Sequence, residues 1–313
     1  MMTEHTRTWL KTGLVSGLIY LISITPRLLG RARRMPGKFY AHRGLHNLSE
    51  GVPENSMAAF RRAAEHGYGI ELDVQLTRDG QVIVAHDYDL KRICGIEKEI
   101  DSLTYEELSH FPILETEERI PLLEDVLKLV NGQVPLIVEI KYKHLGSTIC
   151  KKTAELLDHY SGSFCIESFH PAALIWFRKY RPYVCRGQLG MNFHKDDGRV
   201  HPVYYFPRHL LTNFLTKPDF IAYDHHARGA LSLTLCRVIF GTPCFAYPSG
   251  IRNILIWGNY AEMMVLGQDT SSGNLQSSEL VVRNIDFLPL TILFIAGLIA
   301  FVLFEKKFQK YEY

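Results

Sequence analysis

An α/β barrel of the (β/α)8, TIM type is the fold class that this sequence predicts. It carries a small insertion after the third strand and hydrophobic helices at both ends. Three observations predict it. Roughly eight short apolar runs alternate with helical stretches along the 313-residue chain. Polar residues recur where those runs end, as they do at the functional face of a barrel. The alternating region, residues 37–268, is close to the ~250 residues typical of an eight-stranded barrel.

The elements read in order. A short strand, Phe39-Tyr40-Ala41, ends at His42. A helix over 55–66 places Met57, Phe60 and Ala64 on one face. Strands follow over 69–76 and 81–85, with Asp79-Gly80 in the turn between them. Residues 88–119 are less regular and form the expected insertion. A helix over 121–130 stops at Asn131-Gly132. The next strand, 135–140, contains Leu136-Ile137-Val138, an apolar run suited to a sheet buried on both faces. Then come a helix (148–160), a strand (164–166), a helix opened by Pro171 (170–180) and a strand (183–189). A strand (219–223), a helix (230–240) and a strand (242–247) continue the alternation, followed by a short helix over 251–257 and a last strand over 261–266. An open doubly wound sheet is the alternative, although no G-x-G-x-x-G supports a dinucleotide site.

Two apolar segments flank this region. Residues 10–24 precede Pro26 and a run of arginines, and read as a membrane anchor. A secretory signal would carry its charge before the apolar core instead. Residues 287–304 hold no charge and end at Glu305-Lys306-Lys307, as a transmembrane helix would. The expected organisation is therefore an anchor with its basic flank (1–35), the barrel (36–268, insertion 88–119), a polar linker (269–285), a transmembrane helix (286–304) and a basic tail (305–313). The dense cluster Arg27, Arg31, Arg33 and Arg34 places the barrel in the cytoplasm.

A formal net charge of +2 gives no reason to expect a nucleic-acid partner. The six cysteines are dispersed with no C-x-x-C pair, so they read as buried free thiols.

Chemistry concentrates in one ordered set: His42-Arg43-Gly44, Pro53-Glu54-Asn55, Glu71-Leu72-Asp73, His86-Asp87 and Glu139-Ile140-Lys141. Strand residues two apart point to the same side, so Glu71 projects with Asp73, and Glu139 with Lys141. Three inward carboxylates repel one another unless protonated or bound to a cation. Oxygen ligands suit a divalent metal, Ca2+ or Mg2+, better than zinc. His42 and His86 can serve as general acid and base. Arg43 can clamp an anionic oxygen, and Lys141 can neutralise charge developing on phosphorus oxygens. Asn55 reads as a helix cap or a substrate contact. His170, and one of His225 and His226, are candidates to border the mouth.

These motifs, with Thr77-x-Asp79-Gly80, Glu167-Ser168-Phe169 and Gly187-Gln188-Leu189, resemble those of the glycerophosphodiester phosphodiesterase family over residues 38–247. The resemblance implies hydrolysis of a glycerophosphodiester to glycerol 3-phosphate and an alcohol; a membrane tether would extend the substrates to lysophospholipids. The same resemblance implies Ca2+ or Mg2+ on Glu71, Asp73 and Glu139, proton transfer by His42 and His86, and phosphoryl contacts from Arg43 and Lys141. It further implies that a glycerol hydroxyl attacks phosphorus, giving a cyclic phosphate that water then opens. The pattern departs after Tyr247, where Pro248-Ser249-Gly250 interrupts the eighth unit. Two other readings are a phospholipase C-like lyase, which would not need three carboxylates, and an inactive barrel kept as a membrane-tethered binding module.

Overall fold

A computed structural model describes residues 4–28, 39–144, 146–190, 205–224, 230–247 and 254–258. The elements, in chain order, are α1 (Glu4–Ser23), β1 (Phe39–His42), α2 (Met57–Glu65), β2 (Gly69–Leu76), β3 (Val82–Val84), α3 (Lys91–Cys94), α4 (Tyr105–Ser109), α5 (Leu123–Val130), β4 (Leu136–Ile140) and α6 (Thr148–Asp158). They continue with β5 (Phe164–Ser168), α7 (Pro171–Tyr180), β6 (Cys185–Gly190), α8 (Tyr205–Arg208), α9 (Asn213–Thr216), β7 (Phe220–Asp224), α10 (Leu231–Val238), β8 (Cys244–Tyr247) and β9 (Ile254–Gly258).

One sheet in the order β1-β9-β8-β7-β6-β5-β4-β2-β3 curls on itself, because β1 also pairs with β2. Parallel pairing runs unbroken from β1 through β2, β4, β5, β6 and β7 to β8. The result is an α/β, TIM-barrel-like fold. It departs from eight parallel strands in two places. β3 runs antiparallel on the far end of β2, with Val74 opposite Val84 and Leu76 opposite Val82. Only the turn at Thr77-Arg78-Asp79-Gly80-Gln81 separates the two strands. That is too short for the crossover of about a dozen residues that a parallel pair needs.

The second departure lies where the sequence pattern breaks. The short helix expected over 251–257 is instead β9, which runs antiparallel between β8 and β1 and closes the ring. A helix that short is poorly nucleated. The Ile254-Leu255-Ile256-Trp257 run instead meets two strand edges whose backbone groups need partners. The strand expected over 261–266, the linker, the transmembrane helix at 286–304 and the basic tail lie outside the described residues, as do His225 and His226.

The membrane span expected at residues 10–24 is not met. The helix α1 forms, but among the described residues no helix is long and apolar enough to cross a membrane. Lys11, Thr12, Gly13, Ser16 and Gly17 dilute its apolar content. Its end is docked on the barrel: Ile24 is fully buried and its carbonyl accepts from Asn213 Nδ2 at 3.0 Å. Trp9, at the other end, is 72% exposed.

The main core lies between sheet and helices. α2 is capped by Ser56, whose hydroxyl accepts from the Ala59 N–H at 3.1 Å, and it buries Ala59, Phe60 and Ala63. α5 buries Leu123, Val126, Leu127 and Val130, and ends at Asn131, whose φ of 43° makes a left-handed cap. Residues 83–120 assemble a satellite core from Ile83, Leu90, Ile93, Ile100, Leu103, Leu108 and Ile113. All six cysteines are free thiols.

Inside the ring, register defines two inward layers. Glu71 lies level with Ile137, Cys165 and Cys185, and Asp73 with Glu139, Glu167 and Gly187. Gly187 is required by close approach: a Cβ there would lie 2.0 Å from the Phe220 ring. Gly187→Ala is expected to lower stability by about 1–3 kcal/mol, the usual cost of overpacking, read from urea denaturation. An unchanged midpoint would show that the ring can move aside.

Candidate active site

β1, β2 and β4 are adjacent strands, and their pleats deliver the predicted cluster to the barrel interior. Glu71, Asp73 and Glu139 are 2%, 1% and 7% exposed. A ligand oxygen from each lies within 4.8 Å of the others. Lys141 enters the same space, its Nζ 2.9 Å from Asp73 Oδ1 and 2.8 Å from Glu139 Oε1. With Lys141 and Arg43 as neighbouring cations, three ionised carboxylates would still leave net negative charge in a buried space.

The proton affinities follow from that imbalance. Burial, then the neighbouring Asp73, Glu167 and Glu139, push Glu71 well above the ordinary carboxyl range. Burial also lifts Glu139. For Asp73 burial is outweighed by Lys141, His86 and Arg43, which hold it well below its ordinary value. The same carboxylates raise Lys141 despite its burial, so it stays charged. A buried all-oxygen trio whose members resist ionising together fits a hard divalent cation.

His42 ends β1 with its Nε2 3.9 Å from Glu71 Oε2. Burial and Arg43 bring its imidazole down to about 3, so it is neutral near pH 7. His86 follows β3, and its Nδ1 lies 2.6 Å from Asp87 Oδ1. Arg43 adopts a φ of 57°, uncommon for a residue with a Cβ. That turn aims its backbone N–H at Glu71 Oε2, 2.9 Å away. Its guanidinium reaches Glu54 Oε1 at 2.8 Å and lies 3.7 Å from Asp73 Oδ2.

Asn55 is not the helix cap, a role taken by Ser56. It too is left-handed, with φ 52°, and its Nδ2 donates to Asp73 Oδ2 at 2.9 Å while its Oδ1 is buried without a hydrogen-bond partner. It therefore orients one carboxylate of the trio and leaves an acceptor beside it. His170 caps α7, accepting from the Ala172 N–H at 3.2 Å, and stacks on Tyr142 with ring centroids 4.6 Å apart. Among the described residues no hydrogen bond or ion pair ties it to the carboxylates.

Two participants lie outside the set of site residues expected from the sequence. Glu167 is a fourth inward carboxylate, 3% exposed and in register with Glu139. Its place in Glu167-Ser168-Phe169 and its strand position, two residues after Cys165, were the available signals. Arg92, in the satellite segment, braces the rim. It donates to Glu54 Oε1 and to Asp87 Oδ2, each at 2.6 Å. Nothing in the spacing of Arg92 reveals this, because it depends on how the segment folds back.

Burial alone would raise Glu54, but Arg92 and Arg43 hold its pKa below the ordinary 4.5. A depressed carboxyl contributes stability that is complete above its unfolded pKa and lost as pH falls through the lower folded value. Wild-type melting temperature is therefore expected to fall as pH drops below about 4.5 more steeply than that of Glu54→Gln, compared by thermal melts across acid pH. Parallel curves would refute the pairing.

Comparison with known proteins gives a consistent picture. The model of the glycerophosphoryl diester phosphodiesterase family matches residues 42–202. A glycerophosphodiester phosphodiesterase of Bacillus altitudinis is 37% identical over 175 residues, covering 51% of this chain and 69% of its own length. A lysophospholipase D of Homo sapiens is 32% identical over 157 residues, 45% of this chain and 48% of its own. Among solved structures, a glycerophosphodiester phosphodiesterase from Parabacteroides distasonis aligns with a TM-score of 0.50 at 25% identity, covering 66% of this chain and 82% of that one. A phosphodiesterase from Oleispira antarctica, solved with the product sn-glycerol-3-phosphate, aligns at 0.53 with 19% identity, covering 68% and 84%, a likeness of fold.

Proposed function

The chain belongs to the glycerophosphoryl diester phosphodiesterase family, and from that premise we propose that it hydrolyses a glycerophosphodiester to glycerol 3-phosphate and an alcohol with the help of a divalent cation. The observation that carries this reading is the buried trio Glu71, Asp73 and Glu139, with ligand oxygens within 4.8 Å. These three residues would hold the cation, Ca2+ or Mg2+. When bound, it supplies Lewis-acid stabilisation to phosphoryl oxygens.

The chain's own groups do the rest. His42, neutral through burial, takes the proton from the substrate's neighbouring glycerol hydroxyl as that oxygen attacks phosphorus. His86, beside the Asp87 carboxylate, acts as general acid toward the departing alkoxide. The two exchange roles when water opens the resulting cyclic phosphate. Arg43 and Lys141 stabilise the phosphoryl oxygens, and Asn55 orients Asp73 for its ligand role. His170 borders the mouth as a contact for the leaving alcohol.

The test is release of glycerol 3-phosphate from glycerophosphocholine by the full chain, with Ca2+ or Mg2+ and with chelator. A parallel arm supplies lysophosphatidylcholine, whose turnover would extend the substrate range to lysophospholipids. Chelator-sensitive release supports the reading. No turnover of any headgroup with either metal would favour the inactive binding module.

A further inference from the structure

A second concentration of charge lies on the outer wall of the barrel. Arg186, on β6, is in register with Ile166 and through it with Val138 and Leu72, on the face of the sheet that packs against helices. It is 1% exposed. Its Nε donates to the Thr216 carbonyl and its Nη2 to the Lys217 carbonyl, both at 2.9 Å, which completes the end of α9. Its Nη1 is buried and has no hydrogen-bond partner. A structural cap needs only the two nitrogens already used. Leaving the third donor of a buried cation unmatched is costly.

Arg186 lines a cavity of ≈ 420 Å³ together with Arg27, Leu28, Arg178, Pro182 and Lys217. Four of the six lining residues are cations, and none is a carboxylate. Asp219 lies behind this wall, 2.9 Å from Arg27 Nη1, and accepts the Arg186 backbone N–H at 3.1 Å. Burial and the nearby Arg27 bring Arg186 down to about 10, and burial with Arg178 lowers Lys217. Asp219 offsets part of this charge through Arg27, and the remaining cations repel one another.

We infer that this cavity binds a phosphate-class dianion, supplied either as a free phosphate or phosphomonoester or as the phosphomonoester headgroup of an anionic lipid. Tetrahedral oxygens match a guanidinium with a spare donor, and the cation excess matches a dianion better than a carboxylate. The site faces away from the interior carboxylates, so it is independent of the proposed reaction. A dianion there ties Arg27, which follows α1, to α7, β6 and the end of α9.

The experiment uses the full chain with chelator present, which removes metal-dependent phosphate binding in the barrel. Inorganic phosphate is titrated calorimetrically into wild type and into Arg178→Gln/Lys217→Gln, whose equal melting temperature in chloride shows an intact fold. In parallel, both proteins are sedimented with phosphatidylcholine vesicles with and without phosphatidic acid. A loss of about tenfold or more in phosphate affinity in the double variant supports a free-phosphate site. Phosphatidic-acid-dependent sedimentation that the double variant loses, with weak phosphate binding, supports the lipid headgroup. Phosphate affinity and phosphatidic-acid response both unchanged by the double substitution would overturn the inference.

Discussion

Glu71→Gln is expected to lower kcat/KM for a glycerophosphodiester by about a thousandfold, with the loss of the metal site's electrostatic stabilisation. The amide can still accept the Arg43 N–H that now meets Glu71 Oε2 at 2.9 Å, so the turn after β1 is retained. What disappears is one carboxyl of a trio in which Asp73 and Glu139 raise the proton affinity of Glu71, and Asp73 that of Glu139. The variant should therefore melt no lower than wild type in chelator, and higher where repulsion dominates. It should also lose the rise in melting temperature that Ca2+ or Mg2+ gives the wild type. Loss of activity with an undiminished metal-induced rise would place the cation elsewhere.

His42→Ala and His86→Ala are each expected to reduce kcat by about 10² to 10⁴, the range for a removed general acid or base. Neither residue belongs to the carboxylate trio, so both variants should keep the metal-induced rise in melting temperature. That separation distinguishes proton transfer from metal holding. The two should differ in pH profile. In the proposed roles, loss of His42 would remove a base that burial keeps neutral far into acid. Loss of His86 would remove the proposed proton donor and leave the Asp87 carboxylate paired with Arg92. Turnover by either variant within a few-fold of wild type would exclude it from proton transfer.

Much of this site is legible in the sequence because strand geometry is periodic. Residues two apart share a face, so Glu71-Leu72-Asp73 and Glu139-Ile140-Lys141 declare their pairs once the runs around them read as strands. Strand direction is less legible. An apolar run does not state whether it is parallel, and the short turn before Val82 was the one clue that β3 could not be. β9 is harder still, since its identity depends on two strand edges formed by residues distant in the chain. The same holds for Arg92 and Arg186. Each is an ordinary residue in an ordinary segment, and acquires meaning only from neighbours that folding supplies. Asn55 was visible, but its partner was not. A left-handed backbone turned it from the helix toward Asp73.

The closing strand also has a temporal consequence. β1 meets β2 through local contacts, with Ala41 beside Ile70, but its other edge waits for Ile254. Contacts that remote in sequence are slow to form, because chain entropy must be overcome before they are rewarded. During synthesis most of the parallel sheet can assemble while the strand bearing His42 is held on one side only. The surroundings of His42 would then be completed by a pairing expected to form late. Activity is expected to return late in refolding, after the bulk of the secondary structure, when far-UV circular dichroism and turnover are followed together.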